Sequence, residues 1–144
     1  MNEAVKTNET LNPRVQELAH RIREMLNEEK WTRAILNSYT IKNFEDLDEV
    51  IKEILEANAQ EEIQSVCEEH LHHTKNSIIA LYLYGILSLS QQFVDDSRLV
   101  ILTNIFIDNH KWNIVEHLCH RILDFGENKF ALRTLVDCYN NENM

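Results

Sequence analysis

Two groups of residues have side chains that could bind a metal or act as nucleophiles. Cys67, His70 and His73 fall at i, i+3 and i+6, and His117, Cys119 and His120 crowd a second short stretch. Thiolate and imidazole are zinc ligands, and a structural zinc needs about four of them converging tetrahedrally. On a helix, a spacing of three puts two side chains on one face and turns the third away. Solvated or hydrogen-bonded histidines are therefore expected, and no metal or other cofactor is assigned. Cys119 lies on an apolar helical ladder, where a thiol is normally buried and inert, so Cys–His catalysis is not expected. The two glycines, Gly85 and Gly126, are too far apart to build a phosphate-cradling loop. No enzymatic activity is read from these residues.

A third group is acidic. Residues 45–69 hold ten acids and one base, Lys52. Glu45, Asp46, Asp48, Glu49, Glu53 and Glu56 are the candidates here for a face that docks a basic protein partner. A solvated helix face and a Mg²⁺ site are the other readings of the same carboxylates. They run along two helices instead of converging, which disfavours the metal. Tyr84 joins the candidates as a groove-lining aromatic. Tyr82 and Tyr84 point to different sides of one helix, so at most one of them can line a concave groove.

Helices must position all of these groups. The 144 residues include only 2 Gly and 1 Pro, far too few for the turns of a β-rich fold. The formal net charge of −10 would repel phosphate backbones, so direct nucleic-acid binding is not expected. Residues 1–74 carry 16 acids against 8 bases, while residues 75–144 carry 8 against 6, so the acidity is concentrated in the first half. Three cysteines without framework spacing suit a reduced, cytoplasmic chain. The longest apolar run, 78–89, is shorter than the roughly 20 residues a membrane span needs, so no membrane contact is expected.

Residues 1–11 are polar and aperiodic and are read as a disordered leader. Residues 12–144 are read as one helical-repeat domain. Asn12-Pro13 has N-cap and N1 chemistry, and Val15, Leu18, Ala19, Ile22, Met25 and Leu26 follow at helical spacing. A short helix over 30–38 would turn Trp31, Ala34 and Ile35 inward. Asn43 is expected to cap a helix whose stripe is Phe44, Leu47, Val50, Ile51, Ile54 and Leu55. After a break at 57–60, a helix over 61–73 buries Ile63, Val66, Cys67, His70 and Leu71. Asn76 or Ser77 caps a helix that is apolar nearly all round and so must be central. Gly85 within it implies a close helix crossing. Asp95, Asp96 and Ser97 offer a cap for 97–109, and Gly126 closes 111–125.

Ile101-Leu102-x-x-Ile105-Phe106 returns as Thr134-Leu135-x-x-Cys138-Tyr139, 33 residues later. With Trp112, Val115, Cys119, Ile122 and Leu123 between the copies, the layout is similar to the tetratricopeptide pattern. It departs from that pattern at Thr103, Val115 and Glu127, where Gly, Ala and Pro are usual. The expected fold is all-α: a TPR-like α-solenoid of stacked antiparallel hairpins with seven to eight helices in sequence order. Trp112 is expected to anchor one helix pair. The apolar residues of the last helix, Phe130, Leu132, Leu135, Val136 and Tyr139, lack a following helix, which suggests truncation from a longer protein.

Five segments in two groups carry a family resemblance: 26–33 (LNEEKWTR) with 38–44 (SYTIKNF), and 111–116 (KWNIVE) with 122–127 (ILDFGE) and 129–135 (KFALRTL). From about residue 18 onward, the chain resembles the long N-terminal helical extension of spirochaetal GreA-type transcription elongation factors. The resemblance implies a role in transcription as a non-catalytic protein-interaction domain, with RNA polymerase or another protein as the partner. Gre factors enter the polymerase secondary channel with a long coiled coil whose acidic tip helps hold Mg²⁺ during transcript cleavage. The acidic hairpin over 44–73 is too short for that work, since each arm would span only about 20 Å. No cleavage residue maps onto this chain. The rival reading is a TPR-like scaffold or adaptor unrelated to transcription.

Overall fold

The computed structural model describes residues 12–29, 33–91 and 95–142. The expected leader over 1–11 and the position of Trp31 lie outside the described residues. Among those described there are eight α-helices and no strand. They are α1 (Pro13–Glu28), α2 (Arg33–Ser38), α3 (Ile41–Glu56), α4 (Gln60–His73), α5 (Ile78–Leu89), α6 (Ser97–Asp108), α7 (Trp112–Leu123) and α8 (Lys129–Glu142).

Local chemistry sets most helix starts. The Asn12 side-chain oxygen accepts from the backbone N–H of Arg14 at 2.8 Å and of Val15 at 3.2 Å, with Pro13 at N1. Ser77 Oγ accepts from Ala80 N–H at 3.2 Å and opens α5. Asp95 accepts from Ser97 N–H at 3.0 Å just before α6. One expected cap is displaced. Asn43 is the N3 residue of α3, and Thr40 is its N-cap. The Thr40 N–H donates to Asn43 Oδ1 at 2.8 Å, the reach-back half of a capping box. Both residues have capping chemistry, and the box uses them together.

α5 is the centre of the molecule. Every residue from Ile78 to Leu89 except Ile79 and Tyr84 is buried. α4 and α6 pack along its sides, and α3 and α1 also touch it. The expected close crossing occurs at Gly85. A Cβ placed there would lie 2.4 Å from Leu99 Cγ of α6, so the bare backbone of Gly85 is what admits Leu99. From α4 to α8, consecutive helices pack on one another in sequence order. The N-terminal part does not follow that rule. α1 packs against α4, and α3 lies against α4, α5 and α7.

α3 takes that position because of Phe44, which is fully buried. Its ring centroid lies 5.0 Å from Tyr82, 5.7 Å from Tyr39 and 5.8 Å from Phe106. Edge-on and tilted pairs of this kind add about 0.5–1.5 kcal/mol each beyond burial. Phe44, Leu47, Ile51 and Ile54 are buried and Val50 partly so, but Leu55 is 39% exposed. The buried stripe is therefore narrower than its hydrophobicity suggested.

The two copies of the internal repeat bury different faces. In α6, Leu102 and Phe106 are buried while Ile101 is exposed. In α8, Thr134, Leu135 and Cys138 are buried while Tyr139 is exposed. α6 is flanked by α5 and α7, whereas α8 packs chiefly on α7. Among the described residues, no helix is long and apolar enough to cross a membrane.

Candidate partner-binding surface

α3 carries six of the seven candidate residues, and its rotation distributes them over three environments. Asp48 faces inward. Its Oδ1 accepts from the Tyr82 hydroxyl at 2.6 Å and from Arg121 Nε of α7 at 3.3 Å. Burial first, and then this hydrogen bond, push the Tyr82 phenol well above its ordinary pKa. Asp48 thus ties α3 to α5 and α7 and is not available to a partner.

Glu53 and Glu56 face α1. Glu53 Oε2 lies 2.7 Å from Arg21 Nη1, and Glu56 Oε2 lies 3.4 Å from Arg14 Nη2. These pairs bridge two helices but stay in contact with solvent, where such pairs contribute only about 0–1 kcal/mol.

Glu45, Asp46 and Glu49 occupy the outer face. All three are exposed. Asp46 pairs with Lys42 at 2.7 Å and Glu49 with Lys52 at 3.2 Å, each within one turn of α3. Such exposed pairs are weak enough for a basic partner to displace. They leave the outer face of α3 as the available carboxylate surface of the candidate set.

Tyr84 is elsewhere. It lies two residues beyond Tyr82, about 200° around α5. The Arg98 guanidinium of α6 sits 5.0 Å from its ring centroid. Tyr84 is the one of the two tyrosines that reaches solvent, since Tyr82 is fully buried. The seven candidates therefore do not form one surface.

The histidine and cysteine groups also separate. Cys67 is buried, and burial pushes its thiol up to about 12, whereas His73 is exposed. Cys119 is likewise pushed up to about 12, first by burial and then by Cys138 and Glu116. Neither thiol has the depressed pKa of a nucleophile. Among the described residues, no three His, Cys, Asp or Glu side chains are placed to hold a metal ion. His117 points inward beside Phe44, and its Nε2 is buried without a hydrogen-bond partner among the described residues. A cleft of about 230 Å³ opens between α1 and α4, lined by Arg23, Leu26, Asn27, Val66, Glu69, His70 and His73.

One polar junction had no sequence signal. Glu29, just after α1, accepts from Ser77 Oγ at 2.5 Å, from Ile79 N–H at 3.1 Å and from the Tyr39 hydroxyl at 3.3 Å. Its carboxylate sits at the positive N-terminal end of α5 and adds a second cap to that helix. Ser77 advertised the helix start, but nothing near Glu29 in sequence indicates a partner about fifty residues away.

The chain is similar to two curated spirochaetal proteins. It is 53% identical over 104 residues to a GreA-associated domains protein of Treponema pallidum, covering 72% of this chain and 16% of that protein. It is 39% identical over 121 residues to transcription elongation factor GreA of Borreliella burgdorferi, covering 83% of this chain and 13% of that protein. The chain thus spans about one-sixth or less of the length of these relatives. No protein-family model matches the chain, and no solved structure matches it.

Proposed function

Because this chain is a homologue of GreA-associated helical domains, we propose that it is a non-catalytic protein-interaction module of a GreA-type transcription elongation factor. Its partner in this reading is RNA polymerase, met by the outer carboxylates of α3. The observation that carries the reading is the exposure of Glu45, Asp46 and Glu49 side by side, engaged only in local or weak pairing. A dense negative face steers toward a basic protein surface and turns away nucleic acid. Asp48, Glu53 and Glu56 support that face from behind by fixing α3 to α5, α7 and α1.

The test is binding of the purified chain to bacterial core RNA polymerase across a salt series. The reading expects binding at low salt that weakens steadily as ionic strength rises. Absence of binding at low salt would leave common ancestry intact and shift the function to a scaffold for a different protein.

A further inference from the structure

The repeat of 33 residues aligns Leu99, Thr103 and Phe106 of α6 with Leu132, Val136 and Tyr139 of α8. The first three are 0% exposed, while their counterparts are 49%, 57% and 49% exposed. In α6 these positions lie beneath other elements. Leu99 packs on Gly85 of α5, and Phe106 meets the rings of Phe44 and Tyr39. In α8 the same positions form an uncovered stripe at i, i+4 and i+7, the spacing of a face built to receive a helix. Lys129 and Arg133 flank the stripe on one side. Both are exposed, and neither forms an ion pair among the described residues, although the chain as a whole carries −10.

We propose that this stripe seats an amphipathic helix with an apolar ladder and an acidic flank, supplied by the remainder of a longer GreA-type polypeptide. The acidic flank answers Lys129 and Arg133. A second copy of this chain is the poorer occupant. Three half-exposed side chains offer on the order of 300 Å² per copy, well below the roughly 800 Å² per partner of a stable interface. A helix tethered in the same polypeptide needs no such area, because tethering supplies an effective concentration in the millimolar range. The relatives have ample chain to supply it, since the matched segment is 16% and 13% of their lengths.

The proposal goes beyond polymerase docking and is tested separately from it. The purified chain is titrated with the remainder of the Treponema relative, expressed without its matched segment. Binding of the wild type that falls by about tenfold or more in Val136→Glu, at unchanged melting temperature and unchanged polymerase binding, is the expected result. Failure of the wild type to bind, or equal binding by Val136→Glu, would overturn the proposal. So would a dimer of this chain in sedimentation equilibrium that Val136→Glu dissociates, because the occupant would then be a second copy.

Discussion

Asp48 of α3 accepts a 2.6 Å hydrogen bond from the hydroxyl of Tyr82, which is fully buried in the central helix α5. Arg121 of α7 reaches the same carboxylate oxygen at 3.3 Å. Three helices far apart in sequence thus meet at one partly buried charge. Tyr82→Phe removes the neutral donor and leaves Asp48 with Arg121. The expected cost is about 1–3 kcal/mol, because the acceptor stays where it is, partly desolvated. Chemical denaturation of Tyr82→Phe, Arg121→Ala and the double variant measures the coupling. Additive losses would show that the two donors act independently.

At Gly85, an added methyl meets Leu99 Cγ at 2.4 Å. Gly85→Ala gains about 1 kcal/mol of helix propensity, but Leu99 is fully buried and has nowhere to go. Overpacking costs of about 1–3 kcal/mol are typical, so the net effect is destabilising. Gly85→Ala and Leu99→Ala should couple, the double variant losing less than the sum of the two single losses, because truncating Leu99 opens the space the added methyl needs. Urea denaturation of the two single variants and the double checks this.

Alkaline pH should destabilise the fold. Burial raises the thiols of Cys67 and Cys119 to about 12, and burial followed by carboxylate contacts raises the phenols of Tyr39 and Tyr82. In the unfolded chain these groups ionise near their ordinary values of about 9 and 10, while the native chain keeps them protonated. The unfolded state then binds fewer protons, so stability falls as pH rises. The contribution is complete below about pH 8 and is lost progressively above about pH 9. Urea midpoints from pH 7 to 11 should show this decline, with a shallower slope in Tyr82→Phe.

Phe44→Ala should cost about 3–5 kcal/mol, the usual loss for a fully buried aromatic. Trp112, which the sequence marks as an anchor, is only partly buried beside His110, so Trp112→Ala should cost less. Equal melting shifts for the two variants would contradict this ordering.

The helices were legible because their signals are local. Asn12 with Pro13, Ser77, and the all-round apolar run of α5 each mark an element within a few residues. Gly85 implied a close crossing because it disfavours the helix that contains it. The tertiary partners were not legible. Asp48 and Glu49 are neighbours of like charge, yet one is tied to Tyr82 and Arg121 and the other lies in solvent. That difference depends on the rotation of α3, which Phe44 sets through contacts up to 73 residues away in sequence. Glu29 was missed for the same reason. Leu55 has the composition of the stripe but stays exposed.

In the proposed function, the outer face of α3 docks a basic surface of RNA polymerase. The most direct measurement compares the wild type with the triple variant Glu45→Lys, Asp46→Lys, Glu49→Lys for affinity to core polymerase at low and moderate salt. All three side chains are exposed, so melting temperatures should stay close together. The triple variant should bind at least about tenfold more weakly, with a flatter salt dependence. Equal affinity of the two proteins, or no binding by the wild type, would contradict it.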